Sequence, residues 1–151
     1  LAQVADPEIP VLSVLDRGVI RHFLVRSDGR LEVGIAPTYS GCPASTVIKA
    51  DVLRALAGAG FDAVAADVLA PPWSSDWLSD AGRRKLEAFG IAPPEGRASD
   101  AGRAGTGAAP AACPRCRSVR TTRISEFGST PCKALYRCES CLEPFDYFKC
   151  I

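Results

Sequence analysis

The sequence predicts an α+β chain in three parts: a small α/β layered domain with a short mixed sheet and helices on one side, a flexible linker, and a cysteine-rich β module. Three observations carry this. Strand-like alternation and helical periodicity succeed one another through residues 1–92. Fourteen of the twenty residues 93–112 are Pro, Gly or Ala. Six of the seven cysteines fall after residue 112. A length of 151 residues suits one domain, or one domain with a small appendage. With 47% hydrophobic and 23% charged residues, the composition is that of a soluble globular chain and excludes global disorder. No apolar run approaches the roughly 20 residues a membrane helix needs. A net charge of +1 leaves no global basic footprint for nucleic acid.

The α/β part is read in order. Ile20–Arg26 and Leu31–Ile35 flank Ser27-Asp28-Gly29-Arg30, a β-hairpin signal in which Asp28-Gly29 would supply the positive φ angles of a type I′ turn. Leu31, Val33 and Ile35 alternate with Glu32 and Gly34, which buries one face of the second strand. The loop Thr38-Tyr-Ser-Gly-Cys-Pro43 leads into a helix running to about Ala57, since proline is favoured in a first helical turn. Ile48, Val52, Ala55 and Leu56 form its apolar stripe, and Gly58 and Gly60 stop it. Phe61–Leu69 reads as a third strand, closed by Pro71-Pro72-Trp73. Asp80 is placed to cap a short helix ending at Phe89 before Gly90. Domain boundaries of 1–92, 93–112 and 113–151 follow, the middle segment being too poor in large apolar side chains to offset its ordering entropy.

In the last part, Cys113-Pro-Arg-Cys116 and Cys138-Glu-Ser-Cys141 stand 21 residues apart. One CxxC cannot surround a metal, but two knuckles joined by a hairpin give four thiolates, the donor set of a zinc ribbon. Zinc is favoured, although the same ligands hold iron. A disulfide framework would need an oxidising compartment that nothing in the sequence indicates, so a cytoplasmic protein is expected. Cys132 and Cys150 are left over; they read as small buried hydrophobes or as alternative ligands. Arg115, Arg117, Arg120, Arg123 and Arg137 are diluted by Glu126, Glu139, Glu143 and Asp146, which makes a nucleic-acid ribbon the least favoured reading. Phe145, Tyr147 and Phe148 suit a small core under the metal.

Cys42 stands alone in the first part, at the start of a helix, where an anion is stabilised; it reads as a metal ligand or reactive thiol, or as a buried structural cysteine. Asp6-Pro-Glu-Ile-Pro10 places Asp6 and Glu8 on an extended stretch, either as a capped turn or as carboxylates brought near Cys42 by the fold. His22, the single histidine, lies in a predicted strand and reads as a satisfied side chain. The sequence holds no GxSxG, P-loop or HExxH motif.

Asp6-Pro-Glu-Ile-Pro10 with Asp16-Arg-Gly18-Val19, and Thr38-Tyr-Ser-Gly-Cys-Pro43, resemble the iron–sulfur-assembly domain family that includes SufT. With the tail motifs Glu126-Phe-Gly-Ser-Thr-Pro-Cys-Lys-Ala-Leu-Tyr-Arg-Cys138 and Pro144-Phe-Asp-Tyr-Phe-Lys-Cys150, the whole chain resembles the PaaD family of phenylacetate degradation. One departure is Arg17, where family members usually carry leucine, so that an apolar side chain is lost at that turn. The resemblance implies a non-catalytic maturation factor for the multicomponent phenylacetyl-CoA epoxidase, serving the iron–sulfur cluster of its reductase. It implies Cys42 as the key cysteine, handling iron or a cluster transiently, with Asp6, Glu8 and Thr38 in support. Cys113, Cys116, Cys138 and Cys141 match the tail's metal ligands. The competing expectation is a structural subunit of the epoxidase. The resemblance also admits a homodimer, and no membrane or nucleic-acid partner is expected.

Overall fold

The computed structural model describes residues 1–39, 41–95, 98 and 111–150. Most of the expected linker, 93–112, therefore lies outside the described residues. The chain forms two compact units: residues 1–73 with 77–79, and 74–76 with 80–151.

In the first unit, strands β1 (Ile20–Val25), β2 (Leu31–Ile35) and β3 (Ala63–Asp67) form one sheet in the order β1-β2-β3. The first pair is antiparallel and the second parallel, with Leu31 opposite Ala63 and Ile35 opposite Asp67. Helix α1 (Ala44–Gly58) makes the crossover that a parallel pair needs. It buries Ala44, Ile48, Val52 and Leu56, largely the stripe that its periodicity predicts. Val33 and Ile35 are buried as their alternation requires, alongside Ile9, Leu12, Val14 and Val19 from the N-terminal segment. The other face of β2 carries Gly34, across from His22; a Cβ on Gly34 would come within 2.2 Å of the imidazole, so the ring occupies the space glycine leaves. His22 Nε2 lies 3.3 Å from Glu32 Oε1.

The hairpin differs from its expected turn. Only Gly29 has positive φ, at 81°. The Gly29 N–H donates to the Arg26 carbonyl, and the Arg26 N–H to the Arg30 carbonyl. This is a turn followed by one left-handed residue, the longer alternative to type I′. It suits Asp28, whose carboxylate instead accepts the Arg30 N–H.

In the second unit, α2 spans Asp80–Phe89. Gly90, at φ 92°, donates to the Glu87 carbonyl and Ile91 to the Leu86 carbonyl, the reversal that lets a helix end on glycine. Strands β4 (Thr121–Ser125), β5 (Lys133–Cys138) and β6 (Pro144–Phe148) form an antiparallel sheet in sequence order. Ala92 bridges Tyr147 on its far edge. Ala92, Ala111, Cys113, Ala134, Tyr136, Cys138 and Phe145 form a core with Tyr147 packed on it. The Tyr136 and Phe145 rings stack 5.9 Å apart, and Tyr147 meets Tyr136 edge-on at 5.5 Å. Two of the three expected aromatics thus belong to this core, while Phe148 opposes Lys133 in the neighbouring register and is fully buried. The architecture is the predicted one, a small mixed sheet with helices and a β module. No helix among the described residues is long and apolar enough to cross a membrane.

Candidate metal centre and thiol site

The two CxxC segments fold alike. In each, the N–H of the first cysteine is bonded to a carbonyl five residues on: Cys113 to Ser118, and Cys138 to Glu143. In each, the residue after the second cysteine is left-handed, Arg117 at φ 63° and Leu142 at φ 64°. This turn aims backbone N–H groups at sulfur. Ser140 and Cys141 donate to Cys138 Sγ at 3.3 and 3.4 Å. Above the knuckles, the Ser118 and Ser140 hydroxyls meet at 2.8 Å, and Arg120 donates to Ser140 Oγ from Nε and Nη2.

The four sulfurs of Cys113, Cys116, Cys138 and Cys141 lie within 4.8 Å of one another. Cys113 and Cys141 are 3.7 Å apart, Cys116 and Cys138 3.5 Å. Sulfurs held about 2.3 Å from a central zinc would stand about 3.8 Å apart along a tetrahedral edge. Disulfide sulfurs stand about 2.05 Å apart. The spacing fits a tetrahedral metal and not two disulfides. Four sulfurs this close do not share protons evenly. The Cys141 N–H draws the Cys138 thiol down; burial opposes it, and the Ser140 N–H and neighbouring sulfurs help bring it to about 6. At Cys141 the Glu143 N–H acts downward, but burial and the sulfurs of Cys138, Cys116 and Cys113 outweigh it and push the thiol up to about 12. A divalent cation that displaces the protons removes this conflict.

Cys132 and Cys150 are not in the cluster. Cys132 is buried, its sulfur 3.1 Å from Thr130 Oγ1. Cys150 Sγ donates to the Glu95 carbonyl and lies 3.5 Å from the Tyr147 hydroxyl.

In the first unit, Cys42 precedes Pro43, the N-cap residue of α1. It is buried in a small cleft lined by Arg17, Val19, Ile35, Ala36, Pro37, Thr38, Ala44, Ser45 and Ile48. Thr38 Oγ1 donates to Cys42 Sγ across 3.9 Å. Asp6 reaches this cleft indirectly. Its Oδ2 pairs with Arg17 Nη1 at 2.6 Å, and Arg17 Nη2 donates to Thr38 Oγ1 at 3.5 Å. Asp6 Oδ1 accepts the Glu8 and Ile9 N–H groups, so its carboxylate also closes the Asp-Pro-Glu-Ile-Pro loop. That loop returns through a bridge between Ala5 and Ser13. Glu8 lines no part of the cleft. Of the two carboxylates, the fold connects Asp6 to Cys42, through a buried chain rather than an acidic surface.

Arg17 stands out in the sequence only as a lost apolar side chain, and its link to Asp6 and Thr38 is the feature that sequence reasoning missed. Arg17 is 2% exposed, and the apolar side chain expected at that turn is replaced by a guanidinium linking three elements. The available signal was the arginine itself, since a charge among apolar neighbours needs a partner.

Comparison with known proteins follows this division. Residues 97–149 match the model of the PaaD zinc beta ribbon domain, and residues 1–68 that of an iron–sulfur cluster assembly protein. Over 152 aligned residues, spanning all of this chain and 89% of the relative, the sequence is 47% identical to a protein of Escherichia coli (strain K12) named as a "Putative 1,2-phenylacetyl-CoA epoxidase" subunit. The chain belongs to the PaaD family. The family's two modules thus correspond to the thiol site and the four-cysteine centre. A crystal structure of a domain of unknown function, DUF59, from Bacillus anthracis matches with a TM-score of 0.52 and 24% identity. The match covers 57% of this chain and 83% of that one, and it bears on the fold alone.

Proposed function

We propose that this protein is a non-catalytic accessory factor of the phenylacetyl-CoA epoxidase system in phenylacetate degradation, assisting iron–sulfur assembly in the reductase component. The observation that carries it is the setting of Cys42. Its sulfur accepts a hydrogen bond at the end of a buried Asp6–Arg17–Thr38 chain, in the segment matched by the iron–sulfur assembly model. Among the described residues no histidine or carboxylate lines the cleft, which suits a thiol that holds a metal better than one that attacks a substrate. Asp6 and Thr38 support the sulfur; Glu8 contributes its backbone N–H to the Asp6 loop.

The four-cysteine centre takes zinc, because a closed tetrahedral thiolate site stabilises a small domain without redox chemistry. It builds a rigid module for docking the client, and the family's catabolic setting supports a cytoplasmic protein. The test is Cys42→Ser in cells producing the reductase: lowered cluster content of the purified reductase is expected, and a normal content would refute the transfer role. A second reading, a stoichiometric structural subunit of the epoxidase, is favoured by the name of the Escherichia coli relative. Stable copurification in a fixed ratio, insensitive to Cys42→Ser, would establish it instead.

A further inference from the structure

We propose that Arg17 is a positioning residue for Cys42, acting through the Thr38 hydroxyl; the proposal deepens the reading of Cys42 as a metal-handling thiol and rests on it. A guanidinium only donates hydrogen bonds. Arg17 gives Nη1 to Asp6 and Nη2 to Thr38 Oγ1. A threonine hydroxyl has one proton to give. Once Thr38 accepts from Arg17, the favoured use of that proton is the Cys42 sulfur, 3.9 Å away. The chain therefore runs one way, from Arg17 to Thr38 to Cys42. The sulfur ends it as an acceptor, so the Thr38 hydroxyl holds it in one orientation within the cleft, toward a metal or an electrophile.

The aim of Arg17 is built in by its neighbours. Its N–H donates to the Ser13 carbonyl, and its carbonyl accepts the Trp73 indole N–H at 3.1 Å. On one side Asp16 Oδ2 accepts the Ser13 hydroxyl at 2.8 Å, and Asp16 Oδ1 the Ser79 hydroxyl. On the other, Gly18 holds φ 68° against the Trp77 carbonyl. A turn pinned on both sides points one side chain into one cleft. A merely structural ion pair would need Asp6 alone; the second arm toward Thr38 is what ties the pair to the thiol.

The test reads alkylation of Cys42 by iodoacetamide in the folded, full-length chain near neutral pH, followed on its own peptide by mass spectrometry. Thr38→Val removes only the hydroxyl and is expected to slow Cys42 about fivefold, the worth of one neutral hydrogen bond. Arg17→Lys keeps a cation for Asp6 but gives up the fork that also reaches Thr38. It is expected to slow Cys42 to a similar extent with the fold intact. The two together should be no slower than either alone, because both break one chain, and Thr38→Ser should retain the native rate. Wild-type alkylation in Arg17→Lys, or effects that multiply in the double variant, would overturn the proposal. No client enters this experiment. Normal reductase clusters with Cys42→Ser would thus sink the functional reading while leaving a demonstrated Arg17–Thr38 coupling standing.

Discussion

Asp6 and Arg17 form an ion pair, Oδ2 to Nη1 at 2.6 Å, with side chains only 1% and 2% exposed. A pair so deeply buried gains little over an apolar one, but removing one member leaves a charge without compensation. Asp6→Ala is expected to cost the first unit about 3–5 kcal/mol. Urea unfolding followed by tryptophan fluorescence reports it, since Trp73 and Trp77 both lie in that unit. A loss below about 1 kcal/mol would mean that the pair is solvated in solution.

Gly18 makes the neighbouring turn intolerant of any side chain. At φ 68°, a Cβ there would stand 2.2 Å from the Trp77 carbonyl oxygen. Gly18→Ala should destabilise by about 1–3 kcal/mol through backbone strain and overpacking. It should also displace the Trp77 ring, over which the Arg21 guanidinium sits at 3.4 Å. A thermal melt and the tryptophan emission of the variant check both effects.

The four-cysteine centre predicts about one metal ion per chain, lost in Cys138→Ser. Chelation under reducing conditions should expose the amides of Cys113 and Cys138, bonded in the native knuckles to the Ser118 and Glu143 carbonyls, to fast hydrogen exchange. Slow exchange of these amides in metal-free, reduced protein would show that the second unit folds on its own core.

The sequence discloses what is local. Helix α1, the strands of the first sheet and the four knuckle cysteines follow from period and spacing over a few residues. Asp28-Gly29 marks a turn but not its type, because Asp28 can bond the Arg30 N–H without adopting positive φ. The link from Arg17 to Asp6 and Thr38 was illegible for a different reason. These partners stand 11 and 21 residues away, and only the folded N-terminal loop and the end of β2 bring them together. The same holds for α2, which counts with the second unit although its composition continues that of the first.

Iron per reductase polypeptide tests the central claim most directly. The epoxidase reductase, purified without air from cells producing the native chain, Cys42→Ser, or neither, should carry a full cluster only with the native chain. With Cys42→Ser its iron and acid-labile sulfide should fall toward the level found with no chain at all. Equal iron and sulfide in the reductase from native and Cys42→Ser cells would contradict a role for Cys42 in assembly.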